Sequence, residues 1–242
     1  KRQEATAGSG AARRLSLRTT LRSRAMPLPL TVGQRSVDTV FDLLGRTEND
    51  LTYSLGWALS RSEALTASVL HALRLSDAGP AISVSLQEAA HSGGFTDIEI
   101  RYENLHLIVE AKKGWALPAS GQIERYSPRL VGAKAGRIVV ISEATRDFAT
   151  RRLPALAGGV PILYLSWAEV ITTVDAAHRQ ARRHNERRLL AELRDYLRGA
   201  VTMQDPFSTW TYCVSVNDTT PYGWSRSFRD FVDAGIYFHP YG

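Results

Sequence analysis

The period of the apolar positions switches along the chain from helical to alternating and back, a pattern that predicts an α/β fold. From Thr47 onward, Leu51, Leu55 and Leu59 recur on one helical face. Thr47 suits the N-cap of that helix, and Asp50, three residues on, suits the acid of a capping box. Residues 36–44 predict a short helix before it, and residues 63–74 a third helix after it. Gly79-Pro80 punctuates a change of period. Ile82, Val84 and Leu86 then alternate with Ser83, Ser85 and Gln87, as in a half-buried strand. Two further strands are expected over 95–101 and 105–112, then a short helix over 119–126 closed by Ser127-Pro128. A buried strand over 137–142 leads through the cap-like Ser142-Glu143-Ala144-Thr145 into a helix near 144–152. The pattern ends with a strand over 160–165 and a helix over 167–172 capped by Ser166. A long helix follows over 175–198, with Leu189, Leu193, Tyr196 and Leu197 inward.

Composition changes this picture at the two ends. The 242 residues suffice for one domain with a substantial core. Residues 1–25 hold seven basic residues against Glu4, which accounts for the whole net charge of +6. The rest is neutral, so residues 1–30 read as a basic arm, either solvated or touching phosphates. Ten of the 21 aromatic residues fall in the last 40 positions, after Asp205-Pro206. Residues 201–242 therefore read as a small aromatic subdomain, with base stacking or a protein contact as the other readings. Residues 31–200 are the expected core domain. The lone Cys213 excludes a disulfide framework, no stretch is long and apolar enough for a membrane span, and a reducing cytoplasm is the expected compartment. The chain starts without Met and ends at Pro240-Tyr241-Gly242, which reads as a piece of a longer protein.

Chemistry concentrates in the two central strands. A hairpin turning at Glu103-Asn104, with Asn104 supplying the left-handed conformation such turns favour, pairs residues whose numbers sum to 207. Ile98 then faces Val109 and Ile100 faces Leu107, an apolar face. On the other face His106 meets Arg101, away from the acids, and Asp97 meets Glu110. Directly opposed carboxylates, about 4.5–5.5 Å apart at Cβ, repel each other. A hard divalent cation, Mg2+ or Mn2+, compensates such a pair, and the Ala111 carbonyl offers a further oxygen. Lys112 points to the same face as Glu110 while Lys113 points away. Two metal-binding carboxylates beside one ammonium suit phosphodiester hydrolysis, with Lys112 orienting the attacking water or stabilising charge. The bland alternative is a surface hairpin of solvated charges.

Asp97 followed by Glu110-Ala111-Lys112 on an apolar strand resembles the PD-(D/E)xK nuclease superfamily, although Thr96 stands where the motif has Pro. The resemblance covers residues 47–142, in the order helix, strands, helix, strand. It implies a restriction-endonuclease-like core: a central mixed β-sheet flanked by helices, here over 31–200. Gln122 and Tyr126 share a helix face at i and i+4 and resemble the Gln-x-x-x-Tyr pair of the RecB-type and lambda-exonuclease-like branch, which implies substrate positioning. The resemblance also implies that Glu48, on the first helix, joins the metal site; as a first-turn acid it equally suits the helix dipole.

The expected activity is therefore a divalent-metal-dependent nuclease, with DNA rather than RNA as partner and a role in repair or antiviral defence. The alternatives are a catalytically inactive or structural subunit of a larger nucleic-acid-binding assembly, and an RNA-directed nuclease. A protein partner or a second copy would dock on the aromatic C-terminal segment. The Arg-rich run over 178–188 reads as a solvated helix face, or as a track for a phosphate backbone.

Overall fold

Alternating apolar positions over 81–89 and 95–102 and continuous apolar runs over 106–111, 136–142 and 160–166 produce one mixed sheet with a helical layer on each side. The computed structural model describes residues 30–32, 35–89, 95–130 and 132–201. The expected basic arm, apart from Leu30, and the aromatic C-terminal subdomain, apart from Val201, lie outside these residues. The elements are β1 (Leu30–Val32), β2 (Arg35–Val37), a 3-10 helix (Val40–Leu43), α1 (Glu48–Arg61), α2 (Glu63–Ala72), β3 (Ala81–Ala89), β4 (Phe95–Tyr102), β5 (His106–Ala111), α3 (Ser120–Glu124), α4 (Ser127–Leu130), β6 (Gly136–Ser142), α5 (Arg146–Arg152), β7 (Leu156–Ala157), β8 (Val160–Ser166), α6 (Trp167–Gln180) and α7 (His184–Ala200). The main sheet runs β3-β4-β5-β6-β8-β7. Pairing is antiparallel across β3, β4 and β5, parallel from β5 through β6 to β8, and antiparallel at β7.

The pleat divides the apolar residues into two cores. Ile98, Ile100, Leu107, Val109, Val139 and Ile141 face α1, α2, α6 and α7. Ile108, Ile138, Val140 and Tyr164 face the layer of α3, α4 and α5, from which Ile123, Tyr126, Leu130 and Ala149 pack. The polar face of the β4–β5 hairpin is thus covered rather than open to solvent. Helix α1 lies close on the edge strand, so that a Cβ on Gly56 would run into the Leu86 side chain. Thr47 caps α1 and completes a capping box with Asp50, as the pattern implied.

Four local expectations are corrected. Residues 36–44 form strand β2 and a single 3-10 turn, not a helix. Asp42 caps that turn through Thr39, while Val40 and Leu43 are exposed, so no second apolar row sustains a longer helix. Ser127-Pro128 opens α4 rather than only closing a helix, since proline fits a first turn whose amides need no partner. Asn104 does not adopt a positive φ. The Glu103 and Asn104 amides instead donate to the Pro80 and Ala78 carbonyls, which hold the turn from outside.

The last correction concerns the C-terminal helices. They break at residues 181–183, not near 173. Thr173 and Val174 are buried in α6 and the Thr173 hydroxyl bonds the Glu169 carbonyl, so nothing stops the helix there. Past the break, Glu186 reaches back to accept from Ser62 Oγ and the Ala64 amide at the start of α2. Leu190, rather than Leu189, lies fully buried on α7.

Candidate active site

The register of the central hairpin is the one read from the turn: Ile98–Val109, Glu99–Ile108, Ile100–Leu107 and Arg101–His106. One step further, where Asp97 would face Glu110, the main-chain ladder stops. The Asp97 side chain replaces it, its Oδ2 accepting the Ala111 amide at 2.8 Å. Its Oδ1 accepts from Gln87 Nε2 at 3.3 Å. Burial and then the neighbouring Glu110 charge push the Asp97 carboxyl up to about 6, against the Ala111 hydrogen bond and the Lys112 charge.

Glu110 is 1% exposed and fully engaged. Lys112 Nζ lies 2.6 Å from its Oε1, and Gln122 Nε2 donates to the same oxygen at 2.5 Å. The Tyr126 hydroxyl donates to Oε2 at 2.5 Å and accepts from Gln122 at 3.3 Å. Burial first, then the Glu110 carboxylate, raises the Tyr126 phenol, so it stays a donor. The Gln-x-x-x-Tyr pair is thus spent on Glu110 rather than left open to a substrate.

Lys112 points to the acids and Lys113 away, as the alternation required. Lys113 Nζ donates to the Arg46 carbonyl. The Lys112 ammonium bonds Glu48 Oε1 at 3.0 Å as well as Glu110, and Glu48 Oε2 accepts the Lys113 amide at 3.1 Å. Burial works against the Lys112 charge, but the hydrogen bonds and charges of Glu110 and Glu48 outweigh it and hold the group above its ordinary value. Lys112 is therefore an ammonium at neutral pH, a donor of hydrogen bonds and charge but not a base. Its carbonyl takes the Trp167 indole N–H at 2.9 Å, which anchors the strand end to α6.

Glu48, Asp97 and Glu110 together face the single Lys112 ammonium; burial is the main cause of the raised Asp97 carboxyl, and the Glu110 and then the Glu48 charges add to it. Among the described residues, no group of three or more His, Cys, Asp and Glu side chains is arranged to hold a metal ion; the Glu48 oxygens go instead to Lys112 and Lys113. The two remaining carboxylates do fit a hard divalent cation, being oxygen donors whose mutual repulsion such an ion relieves.

The pattern-based reading missed Glu99. It is 2% exposed on the same face as Asp97, bonded to Thr96 Oγ1 at 3.1 Å and His106 Nε2 at 3.1 Å, and ion-paired with Arg129. Burial resists its ionisation, yet the His106 hydrogen bond and the Arg129 charge hold its carboxyl below the usual value. Arg129 also donates to the Glu88 carbonyl at 3.0 Å, tying α4 to the edge strand. His106 is thus committed to an acid, Glu99, away from Asp97 and Glu110. Only the alternation of Glu99 with Asp97 signalled this in the sequence. The Arg-rich run lies around the α6–α7 break, beside the C-terminal end of α1 through the Glu186–Ser62 bond. Helix α1 has 14 residues, so that run sits roughly 20 Å along it from Glu48.

No family model matches the chain, and no curated protein matches it. Among solved structures it is similar to the small subunit of the heterodimeric restriction endonuclease R.BspD6I, at 13% identity over 66% of this chain and 87% of that one, with a TM-score of 0.36. It is also similar to the DNA modification-dependent restriction endonuclease AspBHI, at 16% identity over 68% of this chain and 42% of that one, TM-score 0.30. A third is the MspJI restriction endonuclease in complex with a 27-mer oligonucleotide, at 18% identity over 69% and 36%, TM-score 0.32. The chain thus spans less than half the length of the latter two. Its own element order, a helix, an antiparallel pair carrying Asp97 and Glu110-x-Lys112, then a helical crossover to a parallel strand, is the restriction-endonuclease-like α/β arrangement set out above.

Proposed function

We propose that the protein is a divalent-metal-dependent nuclease that hydrolyses phosphodiester bonds, with DNA as its substrate. The observation that carries this reading is geometric: two buried carboxylates, Asp97 and Glu110, stand side by side at the strand ends with Glu48 and the half-buried Lys112 ammonium against them. Asp97 and Glu110 would hold Mg2+ or Mn2+, with the Ala111 carbonyl as a further oxygen. Glu110 would do so by exchanging a bond to Lys112, Gln122 or Tyr126, and Glu48 would join only by exchanging its bonds to Lys112 and the Lys113 amide. The ion, when bound, supplies charge that offsets the developing negative charge at the scissile phosphate.

The remaining steps belong to the chain. Lys112, held as an ammonium, donates to the attacking water or to a phosphate oxygen and stabilises charge in the transition state. Tyr126 and Gln122 fix the Glu110 carboxylate, and substrate contact through them requires exchange of those hydrogen bonds. The preference for DNA follows the superfamily resemblance, and a role in repair or antiviral defence would follow from it too. The retained acid–acid–lysine set favours catalysis over a purely structural subunit.

The test is cleavage of DNA and RNA side by side, with Mg2+, with Mn2+ and with EDTA, by the full chain and by Lys112→Ala and Asp97→Ala. The reading expects metal-dependent cleavage of DNA that both substitutions abolish while the circular dichroism spectrum persists. Undiminished cleavage by both variants, or none by the wild type with any metal, overturns it.

A further inference from the structure

Strand β3 carries an irregularity aimed at the site. Gln87 has φ +51°, a left-handed backbone that a residue with a Cβ adopts only at a cost. The β3–β4 register pairs Leu86 with Ile98 and Glu88 with Thr96, so Gln87 falls opposite Asp97. Its carboxamide donates to Asp97 Oδ1 at 3.3 Å, while Oδ2 is held by the Ala111 amide at 2.8 Å. Each carboxylate oxygen therefore accepts one fixed N–H, from strands on opposite sides, and keeps a lone pair free. Glycine would take this φ without strain but would lose the donor. Strain concentrated at one residue beside a candidate site points to function.

We infer that Gln87 is a positioning residue that orients the Asp97 carboxylate for the divalent cation. The inference rests on the reading of Asp97 as a metal ligand. Hydrogen-bond partners of a ligating group set its orientation, and their loss weakens metal binding about 10–100-fold. The experiment measures the Mn2+ dissociation constant of the full chain by calorimetry, beside the thermal unfolding midpoint, for wild type, Gln87→Met and Gln87→Gly. Gln87→Met removes the donor and keeps the strain; Gln87→Gly removes both. The expected result is Mn2+ binding weakened about 10–100-fold in both variants, with Gln87→Gly unfolding at or above the wild-type temperature. A structural residue would instead lower the midpoint in Gln87→Gly and leave Mn2+ affinity unchanged, and that result overturns the inference. Wild-type affinity in both variants, with the wild type binding Mn2+, overturns the inference alone. A wild type that binds no Mn2+ overturns the proposed function as well.

Discussion

Replacing Asp97 with asparagine should stabilise the metal-free protein while removing its proposed activity. The Asp97 carboxyl stands at about 6 in the fold against an ordinary 3.8, a difference of about two units. At ~1.36 kcal/mol per unit, ionising it in the folded state costs about 3 kcal/mol at pH 7.5. The sign follows from proton uptake: between the two values the native state binds more protons than the unfolded one. The Asp97 contribution to the stability of the metal-free wild type is therefore greatest below about pH 4 and is lost as pH rises through 6, whereas Glu99 and Glu169, held below their ordinary values, act in the opposite sense in both proteins. The carboxamide of the Asp97→Asn variant does not titrate, so the advantage of that variant over the wild type grows with pH. It should gain about 2–3 kcal/mol between pH 4 and pH 7.5, or roughly 4–12 °C in unfolding midpoint for a domain of this size. Urea unfolding of both proteins in EDTA, at pH 4, 6 and 7.5, reads the difference directly. Saturating Mg2+ should then stabilise the wild type and leave the variant unchanged. A stability difference that is flat with pH, or that shrinks toward pH 7.5, would refute the charge argument whatever the activity of the variant.

Other substitutions probe neighbouring parts of the argument. Lys112→Gln keeps a donor but loses the charge, and in a cleavage assay it should lower kcat by about 10²–10³-fold with little change in KM. Arg129→Met removes the least exposed cation on buried Glu99 but leaves it His106, Thr96 and the more exposed Arg101, and should cost about 1–3 kcal/mol in denaturant unfolding; adding Glu99→Gln should recover part of it. Gly56→Ala sets a Cβ against the tip of Leu86, an exposed side chain that can turn aside, and the helix gain of about 0.5–1 kcal/mol from alanine offsets the shift, so urea unfolding should change by less than about 1 kcal/mol. Arg182→Ala with Arg183→Ala, at the helix break distant from Glu48, should leave the kcat of cleavage unchanged, which single-turnover rates would check.

What the sequence determined by itself was local and periodic. The alternation of apolar residues over Ile98–Ile100 and Leu107–Val109, with one short turn, settled the register that brings Asp97 toward Glu110 and turns Lys112, not Lys113, to the same face. Side-chain period in a strand is two, so one turn position decides every face. The Thr47–Asp50 capping box was equally legible, because its partners lie three residues apart. The tertiary structure decided what depends on residues distant along the chain. Glu48 reaches Lys112 across 64 positions, and Gln122 and Tyr126 fold onto Glu110. The helix break at 181–183 accompanies Glu186 binding α2, across more than 120 residues. Glu99 carried no reading in the sequence, and only the packing of α4 gives it Arg129. Gln87 looked like an ordinary polar strand position until the β3–β4 register set it against Asp97 with a left-handed backbone. Periodicity states which way a side chain points; only packing states what it meets, and at this site that decides which carboxylate is compensated and which is left raised.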